Sequence, residues 1–97
     1  MLGFLKKAAV SEETINYMRQ NFSKTNIITL SDNEEECLKN IYLLKSFKIM
    51  NIEDLLRYET YIFFKSADRV YYELSKHNIA KVVEEVNEDF AAIEKYI

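Results

Sequence analysis

The sequence predicts an all-α protein: a small orthogonal or repeat-like array of four to six short helices in a single domain over residues 1–97. Three observations carry that expectation. The chain has no proline and one glycine, Gly3, so its body lacks the residues that most readily take positive φ in the tight turns of β-hairpins. Serine, asparagine and aspartate punctuate it instead, and these cap helix N-termini by accepting hydrogen bonds from free backbone amides. Between those marks apolar residues recur at the three- and four-residue spacing of a helix with one buried face. Residues 25–30, TNIITL, stand apart because β-branched residues dominate them, and they read either as one short strand or as the first turns of a helix.

Taken in order, residues 1–10 form an N-terminal arm. Leu2, Leu5, Ala8 and Ala9 fall on one side and Lys6 and Lys7 off it, too short and too weakly basic for a membrane anchor, so the arm packs on the domain or frays. Ser11, followed by Glu12 and Glu13, is an N-cap with acids placed where the helix dipole favours them; the helix it opens runs to about Phe22, with Ile15 and Met18 inward. Ser31 and Glu34 have capping-box spacing and predict a helix over residues 32–47 that buries Cys37, Leu38, Ile41 and Leu44. Asn51, with Glu53 and Asp54 behind it, opens the next helix. Ser66 offers a second cap, and a break at Lys65–Ser66 that splits residues 51–76 into two short helices is preferred over one continuous rod, which the seven-residue spacing of Leu56, Phe63 and Val70 would also fit. Asn78 caps a helix with Val82, Val83 and Val86 inward, and Asn87 caps the last turns, which hold Phe90, Ile93 and Ile97.

Residues 51–76 look like the hydrophobic centre, because Tyr58, Tyr61, Phe63, Phe64, Tyr71 and Tyr72 place six of the thirteen aromatics there, each with a large apolar surface to bury. Tyr71 and Tyr72 cannot both point inward, since successive helical residues differ by about 100 degrees around the axis. A phenol ring offers contact area with a hydrogen-bonding tip, so Tyr58, Tyr61, Tyr71 and Tyr72 are the candidate partner-binding residues.

Composition narrows the function classes. Hydrophobic residues make up 48% and charged residues 30% of the chain, which suits a folded globular domain rather than a disordered one. No apolar run approaches the length of a membrane span, and the opening residues lack the layout of a signal peptide. With a lone cysteine, Cys37, read as a small buried residue, these features predict a cytoplasmic protein. His77 is the only histidine and reads as a surface residue at a helix end. The chain therefore cannot build a His-paired nucleophile or a multi-histidine metal site by itself. Adjacent acids such as Glu84 and Glu85 point apart on a helix, and no glycine-rich phosphate loop is present. The expectation is a non-catalytic protein with no catalytic residues, metal, cofactor or small-molecule substrate.

The net charge of −3 is accounted for by residues 79–97, where Glu84, Glu85, Glu88, Asp89 and Glu94 outnumber Lys81 and Lys95. Presented to a basic site, that tail would suit an acidic inhibitor or mimic. Lys39, Lys45 and Lys48 form a local basic strip free of acids, the candidate nucleic-acid contact of an alternative reading.

Two resemblances bear on these alternatives. Residues 32–64, with LKNIYLLKSFKIMNIEDLL at their heart, resemble the helical repeats of mitochondrial transcription termination factors, although those units commonly carry a proline. An Asn-Ile pair recurs at Asn26, Asn51 and Asn78, 25 and then 27 residues apart, which is the period of helix-pair repeats. Residues 25–64 are similar in order to a ribbon-helix-helix unit: strand, helix over 32–47, link, and a helix from Asn51. That resemblance implies a dimer whose strand side chains touch DNA, yet neither alternating set from TNIITL is basic and the usual glycine of the link is missing. The principal expectation is a helical protein-protein interaction or self-association module that binds a protein partner or a second copy of itself.

Overall fold

The computed structural model describes all of residues 1–97 and contains no strand. Six α-helices, α1 (Glu12–Asn21), α2 (Lys24–Asp32), α3 (Glu34–Ser46), α4 (Ile52–Tyr58), α5 (Ala67–Ser75) and α6 (Ile79–Glu88), alternate with three 3-10 segments at Leu2–Ala8, Thr60–Phe64 and Phe90–Lys95. The expectation of an all-helical chain holds, but there are more helical pieces than the four to six expected.

The short strand over residues 25–30 does not form. Ser23 accepts a hydrogen bond from the Asn26 amide at 3.1 Å and starts α2 two residues before the β-branched run. Within the helix the Thr29 hydroxyl donates back to the Thr25 carbonyl at 2.9 Å, so local capping overrides β-propensity. The ribbon-helix-helix order loses its first element with the strand. The Ser31 capping box fails too: Ser31 lies inside α2, its hydroxyl donates to the Met1 carbonyl, and α3 begins after Asn33.

Ser11, Ser66 and Asn78 cap as the sequence predicts, each accepting from the amide three residues on. Asn51 and Asn87 do something else. Asn51 donates its amide to the Val86 carbonyl at 2.7 Å. Asn87 accepts from the Met50 amide at 2.8 Å and donates to the Lys48 carbonyl at 3.0 Å. The two asparagines therefore clip the link between α3 and α4 to the end of α6. Asp89 takes the capping role, accepting from the Ala91 amide. The three Asn-Ile pairs are not equivalent either, since Asn26 sits in the first turn of α2 rather than at a cap.

The helical run after Asn51 breaks twice. Glu59 (φ −126°, ψ 44°) ends α4, and the extended Lys65 with the Ser66 cap starts α5. The hinge expected near Ser66 is present, together with a second one at Glu59.

The core is aliphatic and is organised around α3, which packs against the first and second 3-10 segments, α2, α4 and α5. This corrects the expectation that residues 51–76 form the hydrophobic centre. Of the six aromatics there only Phe63 is buried; Leu2, Leu5, Ile15, Met18, Leu30, Ile41, Leu44, Leu55, Leu56 and Ile62 do the packing with it. The N-terminal arm belongs to this core, since Leu2, Phe4, Leu5, Ala8 and Val10 are all buried.

The scarcity of glycine leaves a trace at two helix ends. Ala9 (φ 61°) and Lys48 (φ 71°) are the only non-glycine residues with positive φ. At each, the next residue's amide bonds five positions back, Val10 to Leu5 and Ile49 to Leu44, while the positive-φ residue bonds three back. Both are Schellman closures of the kind glycine usually makes, with Val10 and Ile49 buried as the accompanying hydrophobic contacts.

Candidate functional site: an aromatic surface

Tyr58, Tyr61, Tyr71 and Tyr72 all reach the surface, being 51%, 37%, 54% and 58% exposed. On α5, Val70 and Leu74 take the inward positions, which turns Tyr71 and Tyr72 out. On α4, Leu55 and Leu56 face the core and Tyr58 ends the helix.

Each ring is nevertheless held. Tyr58 meets Tyr17 edge-on at 5.6 Å and lies against Phe90 at 5.4 Å with an interplanar angle of 26°, and the Arg57 guanidinium stands 5.6 Å from its centre. Tyr71 stacks on Phe47 at 6.2 Å, and the Lys76 ammonium sits 4.5 Å over Tyr72. The Tyr61 hydroxyl donates to the Ile97 carbonyl at 3.3 Å. None of the four rings stacks on another of the four; they divide into a patch around Tyr58 on α1, α4 and the third 3-10 segment, a patch at α5 and the end of α3, and Tyr61 beside the chain's last residue. Sequence reasoning missed the partners Tyr17, Phe47 and Phe90, because they come from distant segments and no local pattern links them.

Beside the Tyr58 patch lies a buried acid that the sequence does not mark. Glu59 is only 6% exposed and forms no salt bridge. Burial, then the carboxyl of Glu94 and the charge of Asp89, push its carboxyl up to about 7. Burial, then the charges of Glu59, Glu94 and Glu73, push the Tyr61 phenol up to about 12.

Lys39, Lys45 and Lys48 do not form one free basic face. Lys39 lies 3.5 Å from Glu35 and 3.9 Å from Glu36, the Lys45 ammonium donates to the Ala8 carbonyl at 2.6 Å, and Lys48 stands beyond the helix in the αL turn. In the acidic tail, Glu85 is held by the Tyr96 hydroxyl and Lys95 while Glu84, Glu88 and Glu94 are exposed.

An open cleft of about 540 Å³ lies between Ala8, Val10, Lys45, Ile49, Ile52 and Glu53. Among its polar groups Glu53 accepts from Ser11 and Thr14 and Asp54 holds Arg57 at 2.7 Å, whereas the side-chain oxygen of Asn51, also in the lining, is buried with no hydrogen-bond partner. No group of three or more histidine, cysteine or acidic side chains is placed to hold a metal ion, and no helix is long and apolar enough to cross a membrane.

No protein-family model, curated protein or solved structure matches the chain.

Proposed function

We propose that the protein is a non-catalytic helical binding module that contacts a protein partner, or a second copy of itself, through Tyr58, Tyr61, Tyr71 and Tyr72. The observation that carries this reading is that all four rings are exposed by a third or more yet held by neighbouring groups. A fixed exposed ring loses little conformational freedom on binding, and tyrosine combines apolar area with a hydrogen-bonding tip. An aliphatic core that does not need these rings supports the same reading.

The test compares the wild type with Tyr58→Ala and Tyr72→Ala, each checked for native helicity by circular dichroism, in sedimentation velocity and affinity capture. Association by the wild type that weakens about tenfold or more in a variant supports the reading, as interface tyrosines commonly contribute more than about 1.4 kcal/mol. A wild type that stays monomeric at every concentration and captures no protein overturns it.

A further inference from the structure

Met50 is the most exposed large hydrophobic side chain of the molecule, at 86%. It does not belong to a frayed loop. Its amide donates to the Asn87 side chain at 2.8 Å, the Lys48 carbonyl accepts from that same side chain, and Ile49 between them is buried. Met50 also borders the open cleft of about 540 Å³, whose apolar wall is made by Ala8, Val10, Ile49 and Ile52. We propose that this patch joins two copies of the chain across a twofold axis, the Met50 side chain of each copy entering the cleft of the other.

The occupant is a second copy because the patch carries its own complement. A twofold interface uses one surface on both partners, so that surface must hold both members of every contact. Here a protruding side chain stands beside a recess, and the unbranched, flexible thioether of methionine adapts to an irregular apolar hole. Because the Met50 backbone is already fixed, docking costs little more than the freedom of one side chain.

Charge is divided in the same way. On the α3 side of the cleft, Lys45 donates to the Ala8 carbonyl and forms no salt bridge. On the α4 side, Asp54 is partly exposed, and Arg57 engages only its Oδ1. Turned by a twofold, the α3 side of one copy faces the α4 side of the other, and Lys45 meets Asp54 twice. One side chain and one cleft fall short of the roughly 800 Å² that each partner gives to a stable interface. The dimer therefore forms at high concentration, with a dissociation constant on the order of 0.1–1 mM. None of Tyr58, Tyr61, Tyr71 and Tyr72 lines the cleft, so this contact goes beyond the tyrosine reading and is tested apart from it.

The test is analytical ultracentrifugation of the isolated chain from about 10 μM to about 1 mM. Wild type is compared with Met50→Asp, Lys45→Glu, Asp54→Lys and Tyr72→Ala, each checked for native helicity by circular dichroism. Met50→Asp changes an exposed side chain and leaves the core intact; it is expected to weaken the dimer about tenfold or more. Lys45→Glu and Asp54→Lys each place like charges across both contacts and weaken it severalfold, whereas an equimolar mixture of the two faces opposite charges at both and recovers the association. Tyr72→Ala leaves the dissociation constant unchanged. A wild type that stays monomeric to about 1 mM overturns the proposal, as does a Met50→Asp dimer as tight as the wild type or a mixture no tighter than its separate components. A dimer lost in Tyr72→Ala but kept in Met50→Asp overturns this contact and supports the tyrosine surface, so the two readings fail separately.

Discussion

Glu53 shows how much one side chain ties together. One of its carboxylate oxygens accepts from the Ser11 amide, the Ser11 hydroxyl and the Thr14 hydroxyl, while Arg57 donates to Thr14 at 2.7 Å. Thr14 is completely buried, so this network is the polar seam between α1 and α4. Burial alone would raise the Glu53 carboxyl, but the donors from Ser11 and Thr14 outweigh it and hold it below the usual range. Glu53→Gln is expected to cost about 1–3 kcal/mol in urea denaturation, the size of hydrogen bonds to a charged acceptor. The stability that Glu53 contributes is present above the ordinary carboxylate range and is lost as pH falls through its lowered value, opposite in sign to Glu59. Cys37 supports a second prediction at this scale. It is completely buried, and burial pushes its thiol up to about 12. Native protein should therefore leave a thiol reagent unreacted near neutral pH and consume one equivalent only once unfolded, as read by dithionitrobenzoate absorbance. The sequence showed Cys37 as a small buried residue, but it gave no sign that Glu59 is buried, because only the tertiary fold closes over that side chain.

At the scale of elements, what could be read in the sequence depended on whether the signal was local. Serine caps at Ser11 and Ser66 and the asparagine cap at Asn78 were legible because a side-chain oxygen three residues before an amide is a short-range arrangement. Residues 25–30 are ambiguous between strand and helix in the sequence because their β-branching favours one and the Ser23 cap, just outside the run, decides for the other. Asn51 and Asn87 have the composition of caps but join two distant segments, a role that their neighbours in sequence do not encode. The turn at Lys48 carries its own prediction. A side chain in the αL region costs about 1–2 kcal/mol, of which glycine's extra freedom in the unfolded chain returns about 0.4–1. Lys48→Gly is thus expected to raise the midpoint of thermal unfolding by a few degrees, about 0.5–1 kcal/mol, measured by differential scanning calorimetry; Lys48→Ala, which keeps the strain, should not.

For the molecule as a whole, the central structural fact is the division of labour between aliphatic and aromatic residues. Twenty-two buried hydrophobic residues form one cluster, and most of the tyrosine surface lies outside it. Five of those residues, Leu2, Phe4, Leu5, Ala8 and Val10, belong to the N-terminal arm. Each large one contributes about 1.5–3 kcal/mol by burial, and a domain of this size has only about 5–15 kcal/mol to lose. Deleting residues 1–10 should therefore abolish the cooperative thermal transition followed by circular dichroism at 222 nm. An all-helical fold was legible in the glycine and proline counts and in the cap spacing. The centre of the fold was not, because aromatic density in residues 51–76 says how much apolar area is present and not which way it faces; Val70 and Leu74 settle that by taking the inward side of α5.

The claim that these outward rings are the contact surface is tested most directly by ring-selective NMR of the seven tyrosines, followed as the chain is concentrated and as captured partner protein is added. Resonances of Tyr58, Tyr61, Tyr71 and Tyr72 are expected to shift or broaden while that of Tyr42, which is 50% exposed on α3 with its hydroxyl donating to the Lys7 carbonyl and is not one of the proposed contacts, stays in place. Seven tyrosine spectra unchanged under both conditions, or changes confined to Tyr42, would contradict it.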